Sequence, residues 1–360
     1  MERRGHLMNH SLNHIFDEAK NQSTLRTPIS GAVMPAYRAR LENWHRHSGV
    51  RNGLPSMGGA SCNAGGGGGG LPFSPDLVPL AAHRLVQERD GTAYAILAQH
   101  KYRFATFTEH LELEQVIPSC VALRLSDTQF AVPKALARDA GRVAIDETCH
   151  AECAGDLTDD LQKAIGVAPA RRRRPAFLEV LRITKASLSP AQQRLADMAF
   201  TCVSETLITG SLLKVPHEER VIARVREVLG EHAREEAFHH GIFSQVIGVM
   251  WSQLGPAERD AVGPLFALFI AAFLRPDTLA ELDALEATGF TADEAKRILE
   301  ETREDGAEEA RRTLWRAASP TIRAMRQHGL LGHAATVETL EMLELLPPTG
   351  TGTEGMPLET

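Results

Sequence analysis

Glu231-His232-Ala233-Arg234-Glu235-Glu236-Ala237-Phe238-His239-His240 is the stretch whose reading decides the fold. Each residue of an α-helix turns it by about 100°, so residues three and four apart share a face. With His232 set at zero, Glu236 falls at about +40° and His239 at about −20°. Two imidazoles and a carboxylate thus crowd an arc of about 60°. Inside a core such a face is costly unless something binds it, and a divalent metal suits mixed nitrogen and oxygen donors.

The pattern occurs twice. Asp146-Glu147-Thr148-Cys149-His150 reads acid-Glu-x-x-His, as does Glu235-Glu236-Ala237-Phe238-His239. A lone glutamate precedes each: Glu114 lies 33 residues before Glu147, and Glu205 lies 31 before Glu236. Two such hairpins predict an all-α, ferritin-like four-helix bundle. It would offer two lone carboxylates and two Glu-x-x-His pairs, the ligand plan of di-iron and di-manganese bundles. With 31 Glu and 15 His in 360 residues, chance alone gives about 1.3 Glu-x-x-His matches. Three occur, at Glu42–His45, Glu147–His150 and Glu236–His239. Requiring a preceding acid lowers the chance expectation to about 0.17. Two matches survive, and Glu42–His45 drops out. Glu109 and Glu112 compete with Glu114 for the first ligand position, and the matched hairpin distance favours Glu114.

Composition bounds the rest. The net charge of −7, with signs interspersed, lacks the basic patch a nucleic-acid surface needs. Five cysteines in no zinc spacing fit a reduced, cytoplasmic compartment, with Cys149 and Cys153 packing rather than bridged. No apolar run is read as reaching membrane length, Val262–Leu274 being the nearest, and the start lacks the apolar core of a signal peptide.

Three regions follow. Residues 1–74, polar and closing on Gly65–Gly70, read as a disordered arm, its His10, His14, His45 and His47 included. Residues 75–346 form the bundle domain, and 347–360 a disordered tail. Helices are expected over about 83–117, ended or kinked by Pro118, then 134–154, 190–213 and 217–251. Ser189-Pro190-Ala191-Gln192 is a good helix start. Arg171-Arg172-Arg173-Arg174-Pro175 reads as a solvated linker between the halves. Further helices near 256–274, 277–288, 291–317 and 319–345 are additional C-terminal covering helices.

Four glutamates carry −4 and two Fe(II) carry +4, so the loaded cluster would be neutral and could be buried. Asp146 and Glu235 stand one residue before the paired glutamates. They read as acceptors for histidine ring N–H groups, with salt bridges to Arg142 or Arg234 as the alternative.

These residues together resemble the AurF/CmlI-type non-haem di-iron N-oxygenases, over about residues 75–330. The matching positions are Glu114, Glu147, His150, Glu205, His232, Glu236 and His239. The third histidine, His232, is the most specific element, since ordinary ferritin-like sites use two. The resemblance implies a monooxygenase of bacterial secondary metabolism in which those seven residues hold two iron ions. With O2 as co-substrate, it would turn a small-molecule aryl amine into hydroxylamine, nitroso or nitro products. An external electron donor, a reductase or ferredoxin, is implied as well. No membrane or nucleic-acid partner is expected, and a homodimer is compatible. Thr209, one turn beyond Glu205, is a candidate pocket residue. A C–H hydroxylase or desaturase on the same bundle is the enzymatic alternative, which His232 counts against. A non-catalytic metal-binding protein is the other alternative, which the long C-terminal cover counts against.

Overall fold

The computed structural model describes residues 35–52, 70–171, 173–212 and 214–347, without the side chains of 209–212. Residues 1–34, 53–69 and 348–360, together with the side chain of Thr209, lie outside the described residues, and so do the expectations that fall there. Among the described residues the chain is helical, with a single isolated bridge, Leu71 to Val221, in place of any strand. Gly70 passes so close to this bridge that a Cβ would stand 2.9 Å from the backbone nitrogen of Ile222.

The bundle is built from four long segments. Helix α1 (Thr92–Leu111) runs through a π-helical turn (Glu112–Val116) into α2 (Ile117–Leu125). Then come α3 (Lys134–Ile165), α4 (Ala176–Ala186), α5 (Pro190–Leu212) and α6 (Ala223–Trp251). Helices α1 and α2 pack on α3, α5 packs on α6, and α3 meets α6 across the centre.

The inward stripes explain the pairing. On α3, Leu136, Ala140, Val143, Glu147, His150, Ala154, Leu157 and Leu161 recur three and four apart, and all are buried. On α6 the matching stripe is Val225, Leu229, His232, Glu236, His239, Phe243, Val246 and Met250, again all buried. Such a stripe faces a neighbour along the whole helix. Its apolar ends gain about 1.5–3 kcal/mol for each large side chain removed from water, which carries the polar centre into the core.

Pro118 does not end the first segment. A proline lacks the N–H for an ordinary helical bond and its ring crowds the carbonyl four residues back. Here the backbone widens into the π-helical turn immediately before it and then continues as α2. Helix α3 extends to Ile165, beyond the expected Ala154, and stops at Gly166, whose φ of 70° suits glycine.

The cover follows as α7 (Pro256–Leu274), α8 (Thr278–Ala287), α9 (Ala292–Asp305), α10 (Ala307–Gln327) and α11 (Ala334–Met342). Pro264 and Pro320 lie inside α7 and α10 rather than ending them. Phe107, Phe177, Phe200, Phe269 and Phe273 stack and tilt together, joining α1, α4, α5 and α7. By length and composition Pro256–Ala287 does qualify as a membrane span, contrary to the sequence expectation, and half of that window is buried inside the protein.

The boundary near residue 75 also moves. Residues 35–52 lie across the bundle and include two single helical turns, Trp44–His47 and Gly49–Asn52. Tyr37 and the Arg40 amide both donate to Asp139, at 2.9 and 2.8 Å. Gln245 exchanges two hydrogen bonds with the backbone of Arg38. This strap is docked, not a free arm. The basic run between the halves is likewise pinned, with Arg173 on Asp283 and Arg174 on Glu114.

Candidate metal centre

Helices α3, α5 and α6 and the π-helical turn bring four glutamates and three histidines to one point in the core. Glu112, Glu147, Glu205 and Glu236 are each 0 % exposed. Two sets of donor atoms lie within 4.8 Å of one another: Glu147, His150, His232 and Glu236 in one, Glu147, Glu205, Glu236 and His239 in the other. Both sets contain Glu147 and Glu236. A carboxylate has two oxygens and can serve two cations, so these residues could hold two metal ions with Glu147 and Glu236 common to both sets.

The cluster is under electrostatic pressure. Burial pushes the Glu112 carboxyl well above the usual range, and the charges of Glu147, Glu205 and Glu236 add to it. Burial does the same to Glu205, reinforced by Glu236 and Glu147. For Glu236, burial is outweighed by His239, His150 and His232, and its carboxyl stays well below the usual range. Glu147 is also held low, because His239 and His150 overcome burial and the Glu236 charge. Burial opposes charge on His150 and His239 too, yet Glu147 beside each raises both well above an ordinary imidazole. His232 goes the other way, lowered by burial and by the nearby His150.

Unmet polar atoms mark what the pocket suits. Both oxygens of Glu112 and both of Glu205 are buried and meet no hydrogen-bond donor among the described residues. An unsatisfied buried polar group costs about 1–3 kcal/mol, more if charged. His239 Nδ1 stands 2.7 Å from Glu147 Oε1, yet neither atom has a partner in hydrogen-bonding geometry. His150 and His232 do meet Glu147 and Glu236, at 2.8 and 3.1 Å, and the ligand atoms left unmet beside them fit cations placed among them. The residues therefore fit a dinuclear metal group.

The acids preceding each paired glutamate cross over between helices. Glu235 Oε2 on α6 lies 2.9 Å from His150 Nε2 on α3. Asp146 Oδ2 on α3 lies 3.5 Å from His239 Nε2 on α6. Neither acid takes the alternative salt bridge, for Arg142 pairs with Asp139 and Arg234 with Glu231.

One sequence choice is corrected. Glu114 is turned out of the cluster: its Oε1 lies 2.5 Å from His110 Nδ1, and its Oε2 accepts from Arg174 at 2.6 Å. The Arg174 guanidinium holds its carboxyl below the ordinary value. Glu112 stands in the cluster instead. The signal for it is the stripe Lys101, Ala105, Thr108 and Glu112, three and four apart and all at or near 1 % exposure or below. Trp44, Ser48 and Gly49, which touch Asp146 and Glu235, are also absent from the sequence-based site. Cys149 and Cys153 are free thiols, 3.9 Å apart.

A narrow pocket opens beside His150 and His232. Phe104, Leu157, Val228 and Leu229 supply apolar wall, and Lys101, Thr108 and Arg224 supply polar groups. Lys101 is wholly buried, and burial pushes its ammonium down to about 8, against a partly restoring charge on Glu109.

Fold and centre together define a ferritin-like helical protein with a buried carboxylate–histidine cluster able to hold metal. The chain belongs to the p-aminobenzoate N-oxygenase AurF family, whose model matches residues 69–329. That family assignment makes the protein an oxygenase. Compared with curated proteins one by one, the chain matches none.

Proposed function

We propose that this chain is a di-iron N-oxygenase that uses O2 to oxidise the amino group of an aryl amine, with electrons from an external reductase or ferredoxin. The observation that carries the reading is the pair of four-donor sets sharing Glu147 and Glu236. Glu112, Glu147, His150, Glu205, His232, Glu236 and His239 would hold the iron pair, with Glu147 and Glu236 common to both donor sets. Four carboxylates against two Fe(II) leave no net charge to bury, which answers the pressure on Glu112 and Glu205.

When bound, the iron pair supplies O2 activation and the redox equivalents for oxygen transfer. Converting an amine to its hydroxylamine consumes one O2, two electrons and two protons, and releases one water. The protein's own residues do the rest. Glu235 accepts the ring N–H of His150, fixing its tautomer and leaving Nδ1 facing the cluster. The apolar pocket wall excludes water beside His150 and His232 and suits a flat aromatic ring. Lys101 on the same wall supports a substrate with an anionic end, as p-aminobenzoate in the family's description has.

The test is anaerobic loading with Fe(II), metal counting, then mixing with O2 and a panel of aryl amines. Two irons per chain and oxidised nitrogen are the expected result. One metal per chain, a zinc preference without O2 consumption, or hydroxylated carbon beside an intact amine would each sink the reading.

A further inference from the structure

The strap of residues 35–52 touches the bundle where the two crossed acids lie. Asp146 and Glu235 are 2 % and 5 % exposed. The indole N–H of Trp44 donates to both oxygens of Asp146, at 2.9 and 2.8 Å, and the Ser48 hydroxyl donates to Oδ1 at 2.8 Å. The backbone N–H of Gly49 donates to Glu235 Oε1 at 2.6 Å, leaving Oε2 for His150. Three residues within the six-residue stretch 44–49 thus supply donors to both acids.

The kind of donor matters. Arg142 and Arg234 are the nearby cations that could have neutralised these acids, and each instead donates to a strap carbonyl, Leu41 and His47 respectively. The acids receive neutral donors. A carboxylate so held is fixed in place while keeping its negative charge for the imidazole it faces, which raises the basicity of that imidazole toward a metal. A guanidinium in the same place would cancel that charge.

We infer that Trp44 and Ser48, with the Gly49 amide, are positioning residues for the metal centre, acting through Asp146 on His239 and through Glu235 on His150. The strap also walls a cavity of about 200 Å³ that reaches His239 between Trp44, His47 and Phe238. Its docking therefore sets both how tightly the centre holds metal and how the His239 side is closed. The inference rests on the metal-binding reading above.

The experiment compares wild type, W44F/S48A, S48A, S48T and Y37F for Co(II) affinity by chelator competition without O2, and records the Co(II) visible spectrum. Removing the three side-chain bonds to Asp146 is expected to weaken Co(II) binding about tenfold, the low end of what outer-shell partners contribute, and to shift the spectrum. S48A should fall between, S48T should restore the wild-type values, and Y37F, which loosens the strap at Asp139 only, should match wild type. Unchanged affinity and spectrum in W44F/S48A would overturn the inference and leave the proposed function standing. Equal losses in Y37F and W44F/S48A would overturn it too, reducing the strap to general packing. A wild type that binds no Co(II) or Fe(II) overturns both. Should W44F/S48A misfold, S48A against S48T carries the same decision.

Discussion

Glu112 and Glu114, two residues apart, occupy opposite environments: Glu112 is sealed in the core among three other carboxylates, while Glu114 is partly exposed between His110 and Arg174. The π-helical turn that holds both makes their roles separable. Glu112→Gln is expected to lower bound iron from two per chain toward one, because one terminal oxygen donor is lost from a cluster with no spare carboxylate. Glu114→Gln should leave iron content intact and cost no more than about 0.5 kcal/mol, the scale of a part-exposed ion pair. Metal analysis and thermal melts of the two variants decide it, and iron loss confined to Glu114→Gln would refute the assignment.

Removing the metal should make stability fall as pH rises. Burial and mutual repulsion raise Glu112 and Glu205 above their unfolded values. The metal-free fold therefore binds protons that the unfolded chain has released, so the contribution is full below the ordinary glutamate value and is lost as pH climbs through the raised one. His150 and His239 are raised as well and act in the same direction above neutrality. Glu147 and Glu236 are lowered and oppose this only in acid. The lowered His232 opposes it up to the ordinary imidazole value, and Lys101, lowered to about 8, opposes it above that, so the decline is carried by the four raised groups. The melting temperature of metal-free protein is expected to decline from pH 5.5 to 8.5, and Glu112→Gln should flatten the decline. A flat profile in the wild type would contradict the buried four-carboxylate cluster.

Much of the centre was legible because its donors lie on helical stripes. Glu147, His150, Glu205, His232, Glu236 and His239 occupy buried faces at the three- and four-residue spacing that sequence displays directly. The first-helix ligand was not, for two physical reasons. Loop length constrains hairpin spacing weakly, so matching Glu114–Glu147 to Glu205–Glu236 carried little information. The buried stripe Lys101, Ala105, Thr108 and Glu112 holds no large apolar residue, so a search for apolar periodicity follows Phe104, Phe107 and Leu111 instead. The strap escaped for a related reason. Its contacts are hydrogen bonds to acids about a hundred residues or more distant, and neither Trp44 nor Ser48 carries a local pattern that announces them.

His232 belongs both to a four-donor set and to the pocket wall. Burial and the nearby His150 lower its imidazole below the ordinary value, which favours the neutral form that binds a metal. His232→Ala should keep about two irons, since six donors remain, while amine oxidation falls about 10–100-fold, the range set by losing one metal-tuning partner. Iron content beside product formation tests this. A variant with wild-type N-oxygenation would take His232 out of the mechanism, and one stripped of both irons would make it a structural ligand.

In the proposed function Lys101 anchors the anionic end of the substrate. Its ammonium is a buried charge beside the apolar Phe104, Leu157 and Val228, on a wall that also carries the buried Arg224 and Glu235. A charge-assisted hydrogen bond contributes about 1.5–3 kcal/mol, so Lys101→Met is expected to raise KM for aryl amines bearing a carboxylate by roughly 10–100-fold. Neutral aryl amines should be oxidised with nearly unchanged KM, because they never used the charge. The wild type should show the same discrimination by pH. Burial brings the ammonium down to about 8, so the anchor is charged below that value and lost above it. KM for the acid-bearing amines should therefore climb as pH passes 8 while KM for neutral ones does not, and the climb should vanish in Lys101→Met. Steady-state kinetics on one acid and one neutral amine across pH 6.5–9 checks both arms. If the two substrates respond alike to pH and to the substitution, Lys101 stabilises the helix packing and has no part in substrate choice.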